Sequence, residues 1–323
     1  PGCLVTAERV GAALAALART AEECLTRGEE RARAAKEEDF DEFFARAHEE
    51  AAERDSALVD MICTTLETVA RLNPEPAAEK FTICVPALVK LARSEVKELR
   101  KLGLCAMGEA VEFMESAAVK VVSLMVATML PCFDDPDLEV RQAAAYGIGG
   151  CAQHGGAGFA PLAGEVCGKL MDAIDKAGPR VGETAKVSDN LAGALGRLLL
   201  YQRKAPGQDR VKAMQMYIDY LPMGVPEGDR DEALAAHRRL CDLLESEDPV
   251  LLEDPSRWMY PVMRVFAALL DADSDLVEKD VADKMCKQLR LVHEQAPSSM
   301  WDPALEALGP SERNRIAAAL SSL

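Results

Sequence analysis

An all-α fold, an array of stacked antiparallel helix pairs following a superhelical path, is predicted by three features of the sequence. Apolar residues make up 49% of the chain and aromatics only 5%, a balance that suits helix-on-helix packing better than a β-sandwich. The apolar residues recur at helical spacing and are punctuated by proline and glycine. Successive helix pairs also repeat with a period in the forties, and 323 residues give room for about seven of them, the first incomplete.

The element that sets the pattern is Asp134 to Gly158, DDPDLEVRQAAAYGIGGCAQHGGAG. Pro136 is expected in a first helical turn, where its missing amide has no intrahelical partner. Val140, Ala143, Ala144, Gly147, Ile148 and Cys151 then form one apolar stripe, and Gly155 and Gly156 stop the helix. The stripe is built from small residues, so whatever packs on it comes close. Leucine at Gly149 is accordingly expected to destabilise.

In chain order, Ala7 to Arg27 reads as a helix with Val10, Leu14, Leu17 and Ala21 on one side. Residues 28–55 read as an acidic inter-helix segment, with nine acidic residues between Glu37 and Asp55 against Arg46 and Arg54. Ser56 to Leu72 resumes a helix, which NPEP at 73–76 breaks. Phe81 to Ala92 is its partner; Pro86 inside it implies a kink or a displaced boundary. Val96 to Met114, Ala117 to Leu130 and Phe159 to Ile174 follow the same logic around the opening element. Val181 to Tyr201 with Val211 to Tyr220, and Arg230 to Glu245 with Met259 to Leu270, make two further pairs. Leu276 to His293 and Ser311 to Leu320 close the chain.

The first helices of four pairs align as LCAMGEAVE, YGIGGCAQH, GALGRLLLY and HRRLCDLLE. Their small residues Gly108, Gly149, Gly196 and Cys241 lie 41, 47 and 45 residues apart. Two antiparallel helices at that period are the signature of HEAT or armadillo repeats. One pair cannot bury its own stripe, so neighbours share a continuous core.

EVRQAAAYGIGGCAQHGG, KEEDFDE at 36–42, HRRLCDLLESEDPVLL at 237–252 and the closing SERNRIAAALSSL together resemble the importin-β (karyopherin-β) family, of the importin-β3 type (importin 5), in its C-terminal region. The resemblance covers the whole chain and implies a HEAT-repeat α-solenoid over 1–323. It implies a non-catalytic nuclear import receptor that takes basic cargo, ribosomal proteins and histones, on a concave face. It further implies release by Ran-GTP, mainly through an N-terminal part that precedes this chain, and contact with FG nucleoporins on the outer face. Cytoplasm, nucleus and nuclear pore are the implied locations. At His237 similar proteins carry an aromatic, which puts that packing detail in question. The other reading is a HEAT-repeat scaffold for a different multiprotein assembly.

A net charge of −17 argues against direct nucleic-acid binding and favours basic partners, although acidity also serves solubility. No apolar run has membrane-spanning length, and no membrane insertion is expected. The chain opens at Pro1 without an initiator methionine and reads as a fragment. Its ten cysteines are scattered without a C-x-x-C, as buried small hydrophobes in a reducing compartment are.

Candidate cargo-binding residues are the acidic Glu37, Glu38, Asp39, Asp41, Glu42, Glu49, Glu50, Glu53 and Asp55; the competing reading is a solvated segment. Asp134, Asp137, Arg141 and Asn190 are candidates for a structural ladder between repeats. Trp258, Met259, Tyr260, Met263 and Phe266 are a candidate FG pocket, with ordinary core filling as the alternative. GIGGCA at 147–152 matches a dinucleotide fingerprint but lacks the preceding strand, and close helix packing accounts for it better. Cys151 and His154 have no complementary pair for a metal, and His48, His237 and His293 are isolated. No enzyme, cofactor or metal is expected.

Overall fold

Five helix starts in this chain are written by aspartate, as the computed structural model shows. It describes residues 6–36, 42–205, 207, 209–224, 226–271 and 275–321, which are helical with no strand among them. Asp137, Asp209, Asp229, Asp248 and Asp254 each accept an amide hydrogen bond from the first turn that follows, satisfying groups a helix cannot satisfy internally.

The chain divides into two units, Pro1–Leu162 and Ala163–Leu323. The first holds α1 (Ala7–Ala34), α2 (Glu42–Leu72), α3 (Pro74–Lys80), α4 (Val85–Ala92), α5 (Lys97–Met114), α6 (Val122–Met129), α7 (Leu138–His154) and the short α8 (Gly156–Phe159). The second holds α9 (Ala163–Lys176), α10 (Glu183–Tyr201), α11 (Arg210–Tyr220), α12 (Arg230–Glu245), α13 (Pro249–Glu253), α14 (Pro255–Leu269), α15 (Lys279–Gln295), α16 (Ser298–Ala307) and α17 (Pro310–Ser321). In each unit one run of helices stacks side by side, α2 on α5 on α7 and α10 on α12 on α15, with their partner helices packed along it.

Several boundaries differ from the sequence reading, each for a local reason. The segment 28–55 is largely helix: α1 runs on to Ala34 and α2 begins at Glu42, because alanine, glutamate and arginine are good helix formers whatever their charge. Pro136 lies just ahead of α7, whose N-cap is Asp137. Pro86 is not a kink; it occupies the first turn of α4, after a 3₁₀ turn at Phe81–Ile83. The span 117–130 divides into a 3₁₀ stretch, Glu115–Lys120, and the short α6.

The stacking is closest where glycines meet. A methyl group on Gly108 of α5 would lie 3.2 Å from the Cα of Gly147 on α7 and 3.1 Å from the Tyr146 ring. Gly149 is buried too, but the recorded close approach to α5 falls at Gly147. In the second unit a methyl on Gly196 would lie 2.6 Å from the Tyr217 ring, and one on Gly193 would collide with the Glu232 carboxylate. Space rather than backbone angle favours glycine at Gly108, Gly193 and Gly196.

Gly108→Leu is therefore expected to destabilise the protein by about 1–3 kcal/mol through overpacking. Gly168, inside α9 with nothing within 4 Å of an added Cβ, gives the opposite case. Gly168→Ala should stabilise by roughly 0.5–1 kcal/mol, the helix-propensity difference alone. Denaturant titrations of the two variants check both signs; a near-neutral Gly108→Leu means the α5–α7 contact is looser than described.

Candidate partner-binding surfaces and links between repeats

The acidic set splits once its geometry is known. Glu37, Glu38, Asp39 and Asp41 lie outside the described residues, as does the side chain of Glu42. Glu49, Glu50 and Glu53 project into water from the opening turns of α2, with Arg46 3.5 Å from Glu50. Asp55 does not belong with them: it is buried and held by Arg27 and Arg31 of α1, each at 2.6 Å. Burial alone would raise its carboxyl, but the two guanidinium groups outweigh that and hold it below its ordinary value. Its job is to fasten α2 to α1.

A ladder between repeats is present, with a different membership from the one proposed from the sequence. Asp137 caps α7 and stands 3.4 Å from Lys97 on the preceding first-layer helix. The two-pronged contact comes from Asp135, whose oxygens accept from Nε and Nη2 of Arg100 at 2.8 and 3.0 Å. Asp134 is exposed, and the half-buried Arg141 has an Nε with no hydrogen-bond partner. Arg100 and Arg141 occupy equivalent places in the frame set by Gly108 and Gly149, so the repeat alignment contained the signal for Arg100. Asn190 donates to Asp229 at 2.9 Å, and to the Lys186 carbonyl on its own helix at 3.0 Å.

Around Asn190 the second unit concentrates its polar links. Asp189 is fully buried and accepts from the Tyr220 hydroxyl and the Asp229 amide, each at 3.0 Å. Arg180 lies 4.0 Å over the Tyr220 ring and donates to the Tyr220 carbonyl at 3.0 Å. Burial pushes the Asp189 carboxyl above its ordinary value, although the Asp229 amide, Tyr220 and Arg180 pull it back. His237 is also buried: its Nε2 accepts from the Met223 amide at 3.1 Å and its Nδ1 lies 2.7 Å from the Leu276 carbonyl. That requires the neutral ring with its proton on Nδ1, and burial pushes the imidazole down to about 4. His237 thus ties two connecting segments, those of Met223 and Leu276, together.

Further links obey the same rule. Arg210 pairs with the fully buried Asp248, and Arg230 with Asp275. Arg239 and Arg197 reach the buried Glu232 from either side, at 3.1 and 3.5 Å. Arg239–Glu232 lies within α12, but from Arg100–Asp135 to Arg315–Ala267 the links that cross between repeats join residues 35 to 48 apart, about one repeat.

The aromatic set does not open to solvent as a pocket. Trp258, Met263 and Phe266 are buried, with the Trp258 ring donating to the Val250 carbonyl at 3.0 Å. Met259 is half-buried and Tyr260 is 39% exposed. An open groove of about 650 Å³ lies nearby between α9, α11 and α14, lined by Ile174, Val211, Met216, Tyr220 and Arg257 among others. It draws on three stretches far apart in the chain, which is why no local motif announced it. The GIGGCA string lies inside α7, and Cys151 there is buried with its thiol pushed up by burial. Among the described residues no group of three or more His, Cys, Asp or Glu could hold a metal ion, and no helix is long and apolar enough to cross a membrane.

No family model matches the chain. Among curated proteins it is 23% identical over 267 residues to the probable importin subunit beta-4 of Schizosaccharomyces pombe, covering 81% of this chain and 23% of that protein. It is 23% identical over 214 residues to importin subunit beta-3 of Saccharomyces cerevisiae, covering 66% and 19% respectively. The chain thus spans less than a quarter of the length of these relatives. Among solved structures, Kap121p bound to RanGTP matches 95% of this chain and 26% of its own, with a TM-score of 0.59 and 17% identity. Kap121p bound to Nup53p matches 94% and 26%, with a TM-score of 0.60 and 17% identity. The structural matches establish the fold, a HEAT-repeat solenoid like that of Kap121p, and the curated matches bear out the importin-β resemblance at modest identity.

Two measurements probe the links. The unfolded chain takes up the His237 proton near the ordinary 6.5, the folded chain only near 4, so the stability this residue supplies is complete above the higher value and falls with pH between them. From about pH 7.5 to about pH 5 that loss should be about 2 kcal/mol, and His237→Gln should flatten the slope in pH-dependent urea titrations. Asp248→Ala strands Arg210 and removes a cap, and should cost about 3 kcal/mol or more. Asp254→Ala, at an exposed cap, should cost about 1 kcal/mol; equal losses in thermal melts would mean the Arg210 pair contributes nothing.

Proposed function

We propose that this chain, a relative of the importin-β subunits in sequence and of the Kap121p karyopherin in fold, is a stretch of a nuclear import receptor that works by binding and catalyses nothing. The observation that carries the reading is breadth of kinship: the sequence match to an importin subunit extends over 81% of the chain, and the fold match over 95%. It is supported by what the repeats do physically. Their buried surfaces are spent on one another, and the groove between α9, α11 and α14 is open rather than enclosed.

In this reading the parent receptor carries basic proteins, ribosomal proteins and histones among them, between cytoplasm and nucleus and through the nuclear pore. The exposed carboxylates Glu49, Glu50 and Glu53, with Glu37, Glu38, Asp39, Asp41 and Glu42 ahead of them in sequence, attract the cationic cargo. RanGTP and Nup53p are partners of Kap121p in its solved complexes, and the reading extends those two kinds of partner, the GTPase and a nucleoporin, to the parent of this chain. Its contact with RanGTP falls mainly outside the present 323 residues. The half-exposed Tyr260 and Met259 are where a nucleoporin phenylalanine would enter, provided the buried Trp258, Met263 and Phe266 shift to admit it.

Immobilised parent protein should retain a histone or ribosomal-protein cargo from solution and release it when RanGTP is added. Retention without release removes the Ran-regulated part of the reading. Failure to bind either one favours a scaffold for another assembly.

A further inference from the structure

The seam between α12 and α15 is built differently from the contacts of α7 and α10 with their neighbours. Helix α15 buries only Val281, Met285 and Leu289, one narrow stripe at i, i+4 and i+8, whereas α7 and α10 bury most of their length. Beside that stripe Asp280, Lys284 and Gln288 keep the same spacing, and they meet Arg238, Asp242 and Glu245 of α12, spaced i, i+4 and i+7. The signs alternate along the contact. Arg238 reaches Glu278 and, at 2.8 Å, Asp280; Lys284 reaches Asp242 and Glu245 at 2.6 and 2.8 Å. Gln288 donates to the Cys241 carbonyl at 2.9 Å, and Arg230 pairs with Asp275 just ahead of α15.

Water reaches all of these groups. Arg230, Glu245, Asp275, Glu278 and Asp280 are exposed, and Arg238, Asp242, Lys284 and Gln288 half-buried. Ion pairs in that setting contribute little singly, and they weaken as the Debye length shrinks from about 10 Å at roughly 0.1 M salt to about 3 Å at roughly 1 M. Ion pairs also flank the α5–α7 seam, Lys97–Asp137 and Lys101–Glu139 among them. There the glycine contact and two broad apolar faces remain when the charges are screened. Two other attachments of the closing helices are indifferent to salt. The buried His237 holds the Leu276 carbonyl ahead of α15, and α16 and α17 pack on α14 and bury Trp301, Ala304, Ile316 and Ala319.

We propose that the α12–α15 seam is a joint whose closure is set by ionic strength, with α15 leaving α12 while the Leu276 attachment and the α14 contacts stay in place. The inference goes beyond the transport reading and does not depend on it, since it rests on this seam alone.

Amide hydrogen exchange of the 323-residue chain, followed by mass spectrometry at low and high sodium chloride, tests it. A single helix released from its neighbours is marginal in water, so the α15 amides should exchange about tenfold faster at roughly 1 M salt than at roughly 0.1 M. Those of α7, α10 and α17 should change less than about twofold. Arg238→Gln/Lys284→Gln should exchange in α15 at low salt as the wild type does at high salt, with little further response. Equal α15 protection of the wild type at the two salt levels overturns the proposal. So does a double variant that keeps the full salt response, because the pairs then do not close the seam. Equal acceleration in α7 and α10 means that the whole chain loosens, and in α17 that the closing helices leave together; either result also overturns it. The wild-type comparison needs no substitution, so a variant that folds poorly leaves the test intact.

Discussion

The first-layer helices α7 and α10 have almost no flank to spare, and much of the packing around them follows from that. Helix α10 buries residues around most of its circumference, from Ala185 to Leu199, and α7 buries the whole run from Gly147 to Ala152. A helix enclosed on two sides by its neighbours must keep its contact residues small, or the neighbours cannot approach. Gly108 against Gly147, and Gly193 and Gly196 against Glu232 and Tyr217, are where this requirement is met. A longer side chain on Gly108 would press on the Gly147 backbone, whereas one on Gly193 or Gly196 would first displace the Glu232 or Tyr217 side chain.

The same enclosure decides where polar groups go. With the helix flanks given to apolar contact, the links that align one repeat with the next sit mainly at helix ends and connections. Aspartate serves there twice, capping the helix that follows and receiving an arginine, lysine or asparagine from the repeat before; Asp137, Asp229 and Asp248 each do both. Part of the net charge of −17 is therefore structural. Asp55, Asp189, Glu232 and Asp248 are buried, and attract nothing from outside.

What could be read from the sequence was what depends on periodicity. The spacing of small residues implied stacked pairs, and α10, α11 and α12 lie within two residues of their expected limits. Charge misled the reading at 28–55, where Glu, Ala and Arg were weighed as a solvated segment although the same residues build helix readily. Partner identity was harder, because an arginine is chosen by geometry and not by proximity in sequence. Asp135 takes Arg100 from the previous repeat, while Arg141, six residues farther along, is left out of the ladder. The aromatics near Trp258 were conspicuous by type, but only burial separates a core ring from an open wall.

Many of the polar links from one repeat to the next span 35 to 48 residues, and the span has a kinetic meaning. Closing the longest of these loops costs only about 0.3 kcal/mol more than closing the shortest, since loop entropy grows with the logarithm of length. No link need wait for distant parts of the chain to meet, and none is favoured to form first on entropic grounds. Assembly can begin at any well-formed pair and spread to its neighbours, and a pair that opens leaves those two repeats away with all their own ties in place.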